Sequence, residues 1–467
     1  MNPLPRILVI IVTWNKKEYI LNLLGSLETL QYPSGRIDIV VVDNASDDGT
    51  VKAVEERFPH VHLIANGENL GGCGGFNTGL RWAFSRPAGE YDYLWLLDND
   101  VLVHKNCLAA LVTILEENSD VAVAGSTMMQ LTAPWRINEM GAFVDRGRGT
   151  LFLNRHRQKV PRFRGRSVDE LLTAELDLSR ELEHCRPWMD VEYVAAASLL
   201  VRAEVAREAG LWEDFFIHFD DVEWCLRIAA MGHRIAVSAR SIIWHLPGEA
   251  KVPTWILYYD NRNVLYLLSR HSDEAAVRGT RRWILKKALY YTLLGKTDLA
   301  DLLVQAVQDF DAGRCGKKEI RLAPCYSDFS RLEEILADPA ICRILLPWTV
   351  NLQAAGLQSV FVEAMRKRPE LRVDYLLPAP RVKNRLIRQL PGSVPWQLHG
   401  SPLLRLFHYF RRRGDYDLVI QSDYQQILPL SWLGKKLLFV NYENMSLRQA
   451  PQKKEILTMI RTLRRLR

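Results

Sequence analysis

The chain has 467 residues, of which 48% are hydrophobic and 25% are charged. This composition excludes an intrinsically disordered or fibrous protein, and the length allows two domains or more. The net charge of +7 is moderate, and because the sequence contains no basic module studded with aromatic residues, we expect no nucleic-acid partner. Seven scattered cysteines without a C-x-x-C pair indicate neither a disulfide framework nor a cysteine zinc site.

The hydrophobic runs are short. No stretch of eighteen or more apolar residues occurs, and the N-terminal run ILVIIVTW is followed by no small-residue cleavage site. A membrane-spanning helix needs about 20 apolar residues, so these runs predict core strands and a cytoplasmic protein.

The first part of the chain alternates short apolar runs with amphipathic segments. RILVIIVTWN, IDIVVVDNAS and YLWLLDND predict strands, and KKEYILNLLGSLETL has helical spacing. Such continuous apolar strands predict an α/β fold with a mostly parallel, Rossmann-like sheet covered by helices. Ligands of such sheets bind beyond the carboxyl ends of the strands, where this sequence places polar or glycine-rich clusters.

Beyond residue 130 the pattern changes. Residues 131–190 lose this pattern and contain RGRGTLFLNRHRQKVPRFRGR, a strongly basic stretch with few apolar anchors, which predicts a loop or insertion. VEYVAAASLLVR then predicts a strand, FDDVEWCLRIAAMGH a helix, and RIAVSARSIIWHL one or two strands. Helical periodicity follows to about residue 310, and apolar runs return after a Gly- and Lys-containing linker. We therefore predict an α/β domain over residues 1–250, a helical extension over 251–315 and a smaller α/β domain over 316–467.

Two carboxylates end the predicted strand YLWLL. Asp98 and Asp100 stand at i and i+2, so both side chains can face one side and hold Mg²⁺ or Mn²⁺. The tripeptide alone is weak evidence, because Asp and Asn are also common in exposed turns.

Other predicted strand ends carry polar groups as well. Asp43, Asn44 and Ser46 follow the second strand, where they either bind a nucleoside or cap the next helix. The segment ENLGGCGGFNTGL allows close backbone approach and begins a helix, although it lacks the G-x-G-x-x-G spacing.

Taken in order, the motifs TWN, VVDNASDDGT, NLGGCGGFNTG, LLDND, FFIHFDDVEWCLR and IIWH resemble the inverting family-two glycosyltransferases of GT-A fold. The resemblance covers about residues 5 to 270. It implies transfer of a sugar from a nucleotide donor to an acceptor hydroxyl. The donor-binding positions that it implies are Thr13, Asn15, Asp43, Asn44, Asn77, Asp98 and Asn99.

The same resemblance assigns catalytic and metal-binding roles. Asp221 matches the general base, with Asp220 beside it, and Asp98 and Asp100 match the metal-binding pair. Without the resemblance, Asp220 and Asp221 at the start of a predicted helix would be explained by their favourable interaction with the helix dipole. The combination of DDVE, a WH followed by proline, and YYDNRN is similar to galactofuranosyltransferases, which implies His245 as a further metal ligand and Mn²⁺ or Mg²⁺ as the cofactor.

The sequence thus predicts a metal-dependent inverting glycosyltransferase of cell-envelope or surface polysaccharide synthesis. UDP-galactofuranose and dTDP-rhamnose are the candidate donors, and a glycan or lipid-linked molecule is the acceptor. The basic amphipathic segment TRRWILKKALYYTLLGK is either a peripheral contact with the inner face of the cell membrane or an ordinary solvated helix.

Two alternatives and one open question remain. DNDVL also fits a phosphatase of haloacid dehalogenase type, and the fold could serve a non-catalytic nucleotide-sugar-binding protein. After residue 320 no motif points to chemistry; the alternation there is similar to one half of a GT-B transferase, which would bind a nucleotide.

Overall fold

A computed structural model describes residues 4–246, 255–326, 330–347, 349–350, 357–377, 390, 393–397, 411–423, 425–440 and 445–466. Its residues divide into two compact units. Unit 1 contains Met1–Glu249, Arg262–Thr280 and Asp309–Lys318, and unit 2 contains Ala250–Asn261, Arg281–Gln308 and Glu319–Arg467. The domain boundaries at residues 250 and 315 stay a prediction.

Unit 1 is built on one large sheet with helices on both faces. Its strands, with a separate hairpin of β8 and β9, are β1 (Ile7–Thr13), β2 (Ile37–Asp43), β3 (His62–Ala65), β4 (Tyr93–Asp98), β5 (Val101–Val103), β6 (Val121–Gln130), β7 (Ile137–Glu139), β8 (Ala142–Asp145), β9 (Thr150–Leu153), β10 (Trp188–Val191), β11 (Leu199–Arg202) and β12 (Arg234–His245). Its helices are α1 (Lys17–Leu27), α2 (Thr50–Arg57), α3 (Gly71–Phe84), α4 (Cys107–Glu117), α5 (Val168–Leu172), α6 (Leu178–Glu181), α7 (Ala203–Ala209) and α8 (Asp220–Ala230).

The strand order in the sheet is β10-β12-β6-β11-β4-β1-β2-β3, with β5 paired to β12 and β7 to β6. β3, β2, β1 and β4 run parallel, β12 is parallel to β6, and β11 is inserted antiparallel between β4 and β6. Successive residues of β1 enter the cores on opposite faces: Leu8 and Ile10 on one, Val9 and Ile11 on the other. Burial on both faces explains why these strands are continuously apolar, and the predicted α/β fold is confirmed.

Residues 131–190 differ from the expected loop. They hold β7, β8, β9, α5, α6 and most of β10, all of which are only three to five residues long. Elements this short span little more than one helical turn or two side-chain alternations, so they leave no clear periodicity in a sequence. The predicted strand VEYVAAASLLVR likewise shrinks to Leu199–Arg202.

Three long helices follow in the chain: α9 (Ile256–His271), α10 (Glu274–Leu293) and α11 (Thr297–Asp311). Residues of each are divided between the two units. Among the helices that the structure describes, none combines the length and apolar character needed to cross a bilayer.

Unit 2 carries a second, smaller sheet, as predicted. Its further elements are α12 (Ser330–Ala337), β13 (Arg343–Pro347), α13 (Gln358–Lys367), β14 (Arg372–Leu377), β15 (Val394–Gln397), β16 (Tyr416–Ser422), β17 (Gly434–Val440), β18 (Met445–Gln449) and α14 (Lys453–Arg465). The order β15-β14-β13-β16-β17-β18 is parallel except for β18. Most of the predicted helix over residues 401–414 lies outside the described residues.

The close fit of α3 on β1 gives a stability prediction. A Cβ added at Gly79 would lie 2.3 Å from Cγ2 of Ile10, which is fully buried, whereas nothing lies within 4 Å of a Cβ at Gly25 of α1. Overpacking costs about 1–3 kcal/mol, and alanine is a better helix former than glycine by about 0.5–1 kcal/mol. We expect Gly79→Ala to lower the free energy of unfolding in urea titrations and Gly25→Ala, the control, to raise it. Equal stabilisation by both would contradict this packing.

Candidate active site

The carboxyl ends of the parallel strands in unit 1 lie in one row. Thr13 is opposite Asp43 in the β1–β2 ladder, and Val12 is opposite Asp98 in the β1–β4 ladder. The amide of Asn99 crosses this row and donates to Oγ1 of Thr13 at 2.8 Å. The register of the parallel sheet therefore brings together side chains that are up to 86 residues apart in the chain.

Asp43 presents an acceptor at this edge. Its Oδ2 accepts from the backbone N–H of Ser46 at 2.8 Å, while its Oδ1 is buried and has no hydrogen-bond partner among the described residues. Asn15 lies nearby with a left-handed φ of 48°, and its Oδ1 accepts from the N–H of Asp47 at 2.8 Å. A buried acceptor without a donor is costly, which fits a site that a ligand N–H or O–H completes.

Asn44 and Asn77 are already engaged within the protein. Asn44 donates to the carbonyl of Gly71 and accepts from Asn66, each at 2.8 Å. Asn77 makes a two-way pair with the backbone of Trp212, at 2.9 and 2.8 Å. These contacts hold loops in place, and a donor-binding role for either residue stays a prediction.

Asp98, Asp100 and His245 form a cluster that fits a divalent cation. One ligand atom from each lies within 4.8 Å of the other two, and Nε2 of His245 is 3.0 Å from Oδ1 of Asp100. Asp98 ends β4 and His245 ends β12, so two distant strands build the group. Two carboxylates and an imidazole are a donor set that suits Mn²⁺ and also admits Mg²⁺.

The charges in this cluster are unevenly distributed. Burial and the negative charge of Asp100 raise the pKa of Asp98 to about 7. Burial alone would raise the pKa of Asp100 too, but the hydrogen bond and charge of His245 bring it below its usual value. Burial opposes protonation of His245, yet Asp100 and Asp98 together raise its pKa. A cation bound by these three side chains would neutralise the negative charge that protonation of Asp98 and His245 otherwise neutralises.

Asp221, at the start of α8, is held by three donors. Its Oδ2 accepts from the N–H of Ala196 at 3.1 Å and from the hydroxyl of Tyr193 at 3.2 Å, and its Oδ1 accepts from the N–H of Val222 at 2.8 Å. Burial raises the pKa of Asp221 in spite of these bonds. Its negative charge also contributes to the raised pKa of Asp98, so Asp221 lies within electrostatic range of the cluster of Asp98, Asp100 and His245.

The two acids beside Asp221 behave differently. Burial, followed by the charge of Asp221, raises the pKa of Asp220 to about 7. Glu223 is equally buried, but His271 at 3.2 Å and Arg227 at 2.8 Å outweigh the effect of burial and lower its pKa. Glu223 therefore pairs with Arg227 of the same helix and with His271 of α9. The negative charges of Asp220 and Asp221 repel each other.

Two residues of this site were missed from the sequence. Tyr193 binds Asp221, and Glu139 at the end of β7 is 8% exposed, with a pKa that burial and the charge of Asp221 raise to about 7. Glu139 belongs to the region expected to be an insertion, and Tyr193 belongs to the segment expected to be a strand. Glu139 belongs to no recognisable motif in the sequence, so only its burial and its electrostatic interaction with Asp221 reveal it.

The acid cluster lies beyond the carboxyl ends of parallel strands, where open α/β sheets bind their ligands. Residues 8–170 match the model of the family described as Glycosyl transferase family 2. This match, which covers less than half of the chain, confirms the resemblance to family-two glycosyltransferases that the motifs indicated.

Curated relatives agree with this class. The galactofuranosyltransferase GlfT2 of Mycolicibacterium smegmatis is 24% identical over 85% of this chain and 59% of its own length. The same-named enzyme of Mycobacterium tuberculosis is 24% identical over 52% of this chain and 38% of its own length. The abequosyltransferase RfbV of Salmonella typhimurium is 29% identical over 27% and 39%. The chain thus spans less than two thirds of the length of these relatives.

Solved structures are more distant. A mannosyltransferase of Pyrobaculum calidifontis in complex with GDP-Man and Mn²⁺ is 17% identical with a TM-score of 0.40, over 67% of this chain and 76% of its own. TarS residues 1–349 of S. aureus in complex with UDP-GlcNAc is 16% identical with a TM-score of 0.42, over 65% and 80%. Similarity this remote carries no conclusion about function.

The cluster of Asp98, Asp100 and His245 leads to a prediction about metal binding. We expect His245→Ala and Asp100→Asn each to weaken Mn²⁺ binding at least about tenfold, because each removes one of three ligand groups. Isothermal titration with MnCl₂ measures the affinity without any substrate. Asp120→Asn, which alters an exposed acid paired with Arg234, is the control and should leave the affinity unchanged. Wild-type affinity in both cluster variants would exclude this metal site.

Proposed function

We propose that this protein is a metal-dependent inverting glycosyltransferase that moves a hexose from a nucleotide donor to a hydroxyl group of a cell-envelope or surface glycan. One observation carries the proposal: Asp98, Asp100 and His245 form a group that could hold a metal ion, and the buried, hydrogen-bonded Asp221 lies within electrostatic range of Asp98. A diphosphate binder and a general base are the two parts that such a transfer needs.

The residues divide the work as follows. Asp98, Asp100 and His245 would hold Mn²⁺ or Mg²⁺, which neutralises charge on the leaving nucleoside diphosphate. Thr13, Asn15 and Asp43 bind the nucleoside, with Oδ1 of Asp43 as the acceptor for a ligand donor. Asp221 takes the proton of the acceptor hydroxyl while the new C1–O bond forms and the bond from C1 to the diphosphate oxygen breaks on the opposite face.

Burial of Asp221 suits this role. A carboxylate in water is a weak base, and burial with like charges nearby raises its proton affinity. The three donors from Tyr193, Ala196 and Val222 oppose this rise and fix the orientation of the carboxylate. The site therefore combines a defined geometry with a basicity above that of a free aspartate.

UDP-galactofuranose is the donor that we favour, and dTDP-rhamnose is the second candidate. The support is the motif pattern at DDVE, WH and YYDNRN together with the galactofuranosyltransferase relatives. The acceptor that we infer is a glycan or a lipid-linked sugar.

The central experiment measures release of the nucleoside diphosphate from a panel of donors with Mn²⁺ or Mg²⁺ and a lipid-linked acceptor. We expect Asp221→Asn to lower kcat by about 10²- to 10⁴-fold, which is the usual contribution of a general base, while donor KM changes little. Glu204→Gln, which alters an exposed acid in the first turn of α7, is the matched control and should keep wild-type kcat.

Other outcomes would redirect the proposal. Full activity of Asp221→Asn would exclude it as the base. Hydrolysis of a simple phosphomonoester that is abolished by Asp98→Asn would favour the phosphatase alternative. Tight donor binding without turnover for any acceptor would favour a nucleotide-sugar-binding protein.

We also propose that α10 contacts an anionic membrane surface. Trp283 and Tyr290 are 56% and 38% exposed, which is unusual for large aromatic side chains. They line a pocket of about 430 Å³ together with Lys286, Lys287 and, from the same unit, Tyr291 and Gln426. Lys287 lies 5.0 Å from the ring centre of Trp283. Aromatic rings beside lysines suit the interface between lipid headgroups and acyl chains.

Vesicle binding tests this surface. We expect cosedimentation with vesicles rich in phosphatidylglycerol, little with pure phosphatidylcholine, and release by salt. Lysines contribute about 1 kcal/mol each near an anionic membrane, so the double variant Lys286→Ala, Lys287→Ala should bind at least roughly tenfold more weakly. Lys52→Ala, an exposed lysine of α2, is the control. Equal binding by all variants would contradict the membrane contact and indicate that α10 is an ordinary solvated helix.

A further inference from the structure

The segment before α8 has an unusual backbone. Phe216, His218 and Phe219 have φ angles of 68°, 65° and 67°, a region that residues with a side chain rarely adopt. They directly precede Asp220 and Asp221. Such strain persists only where the surroundings enforce it, and it concentrates at functional sites.

Two neighbouring residues of α9 enforce this backbone. Asn263 is fully buried, and its Nδ2 lies 3.1 Å from the carbonyl of Phe215, 2.7 Å from that of Ile217 and 3.0 Å from that of His218. Arg262, 1% exposed, donates to the same carbonyl of Phe215 at 2.9 Å and to Oδ1 of Asn263 at 2.9 Å.

The opposite side of the segment rests on α3. The carbonyl of Phe216 would lie 2.1 Å from a Cβ at Gly71, so only glycine fits there, and it accepts from the N–H of Cys73 at 3.3 Å. Because these contacts reach consecutive carbonyls from both sides, the path of the chain into α8 has little freedom.

We propose that Asn263 is a positioning residue for the catalytic acids: by donating to the carbonyls of Phe215, Ile217 and His218, it sets the strained backbone that leads into Asp220 and Asp221 at the start of α8. This inference rests on the proposed function. It assigns Asn263 no contact with substrate. Its effect runs through the backbone, so it should change the chemical step and leave donor and metal binding in place, since Asp43, Asp98, Asp100 and His245 lie on other elements.

The variant Asn263→Asp isolates this effect. Aspartate has nearly the same shape and keeps an oxygen for Arg262, but as a carboxylate it has no proton to donate to the three carbonyls. Asn261→Asp is the matched control: Asn261 is also a buried amide of α9, 4% exposed, but its Nδ2 donates to the carbonyl of Leu257 in its own helix at 2.7 Å. Asn263→Ser, which retains one donor, is the second variant if Asn263→Asp does not fold.

Kinetics and hydrogen exchange together test whether Asn263 positions the catalytic acids. Misplacement by about 1 Å can cost about 100-fold in rate, so we expect Asn263→Asp to lower kcat by that order with donor KM and Mn²⁺ affinity nearly unchanged, and Asn263→Ser to fall between it and wild type. Hydrogen exchange should accelerate at residues 216–221 in Asn263→Asp and not in Asn261→Asp.

Unchanged kcat in Asn263→Asp, or equal losses in Asn263→Asp and Asn261→Asp, would overturn the positioning role while the proposed function stands. If the wild-type protein transfers no sugar, the proposed function fails instead, and the catalytic part of this inference fails with it. The exchange pattern then decides only whether Asn263 holds the segment.

Discussion

Repulsion among buried carboxylates is the constraint on which the structure of unit 1 depends. The charges of Asp98, Asp100, Asp220, Asp221 and Glu139 act on one another, and charges of one sign in a partly dry site are costly unless protons, cations or hydrogen bonds compensate them. The protein uses different compensations for different acids. His245 pairs with Asp100, backbone and tyrosine donors hold Asp221, and Asp98, Asp220 and Glu139 have raised pKa values.

This uneven compensation fits the proposed group transfer. A site whose acids were all paired within the protein would be stable and inert, as Glu223 is with Arg227 and His271. Around Asp98, Asp100 and His245 the protein supplies more negative than positive charge. A divalent cation that arrives with a diphosphate would neutralise the excess negative charge. The same shortage favours proton uptake by Asp221. Stability and chemistry are therefore linked through one set of charges.

Prediction from the sequence succeeded where local patterns are strong. The apolar runs of β1, β2 and β4 and the amphipathic spacing of α1 and α8 were sufficient for the α/β fold, and the polar residues after the strands lie together at the carboxyl edge of the sheet. It failed where elements are short or side chains act at long range. β7 is three residues long, and nothing near Glu139 or Tyr193 in the chain shows that they lie beside Asp221.

The sequence by itself determined the longer strands and helices, the strand-end acids and the resemblance to a family, because apolar periodicity and motif spacing are local properties of the chain. Only the tertiary structure decided which acids meet and what holds them. Asn44 and Asn77 contact loops, Asp43 keeps a buried acceptor without a partner in the described chain, and Asn263 bonds the backbone before α8. Those outcomes depend on register and on hydrogen bonds between residues 27 to 135 positions apart, which no local pattern encodes.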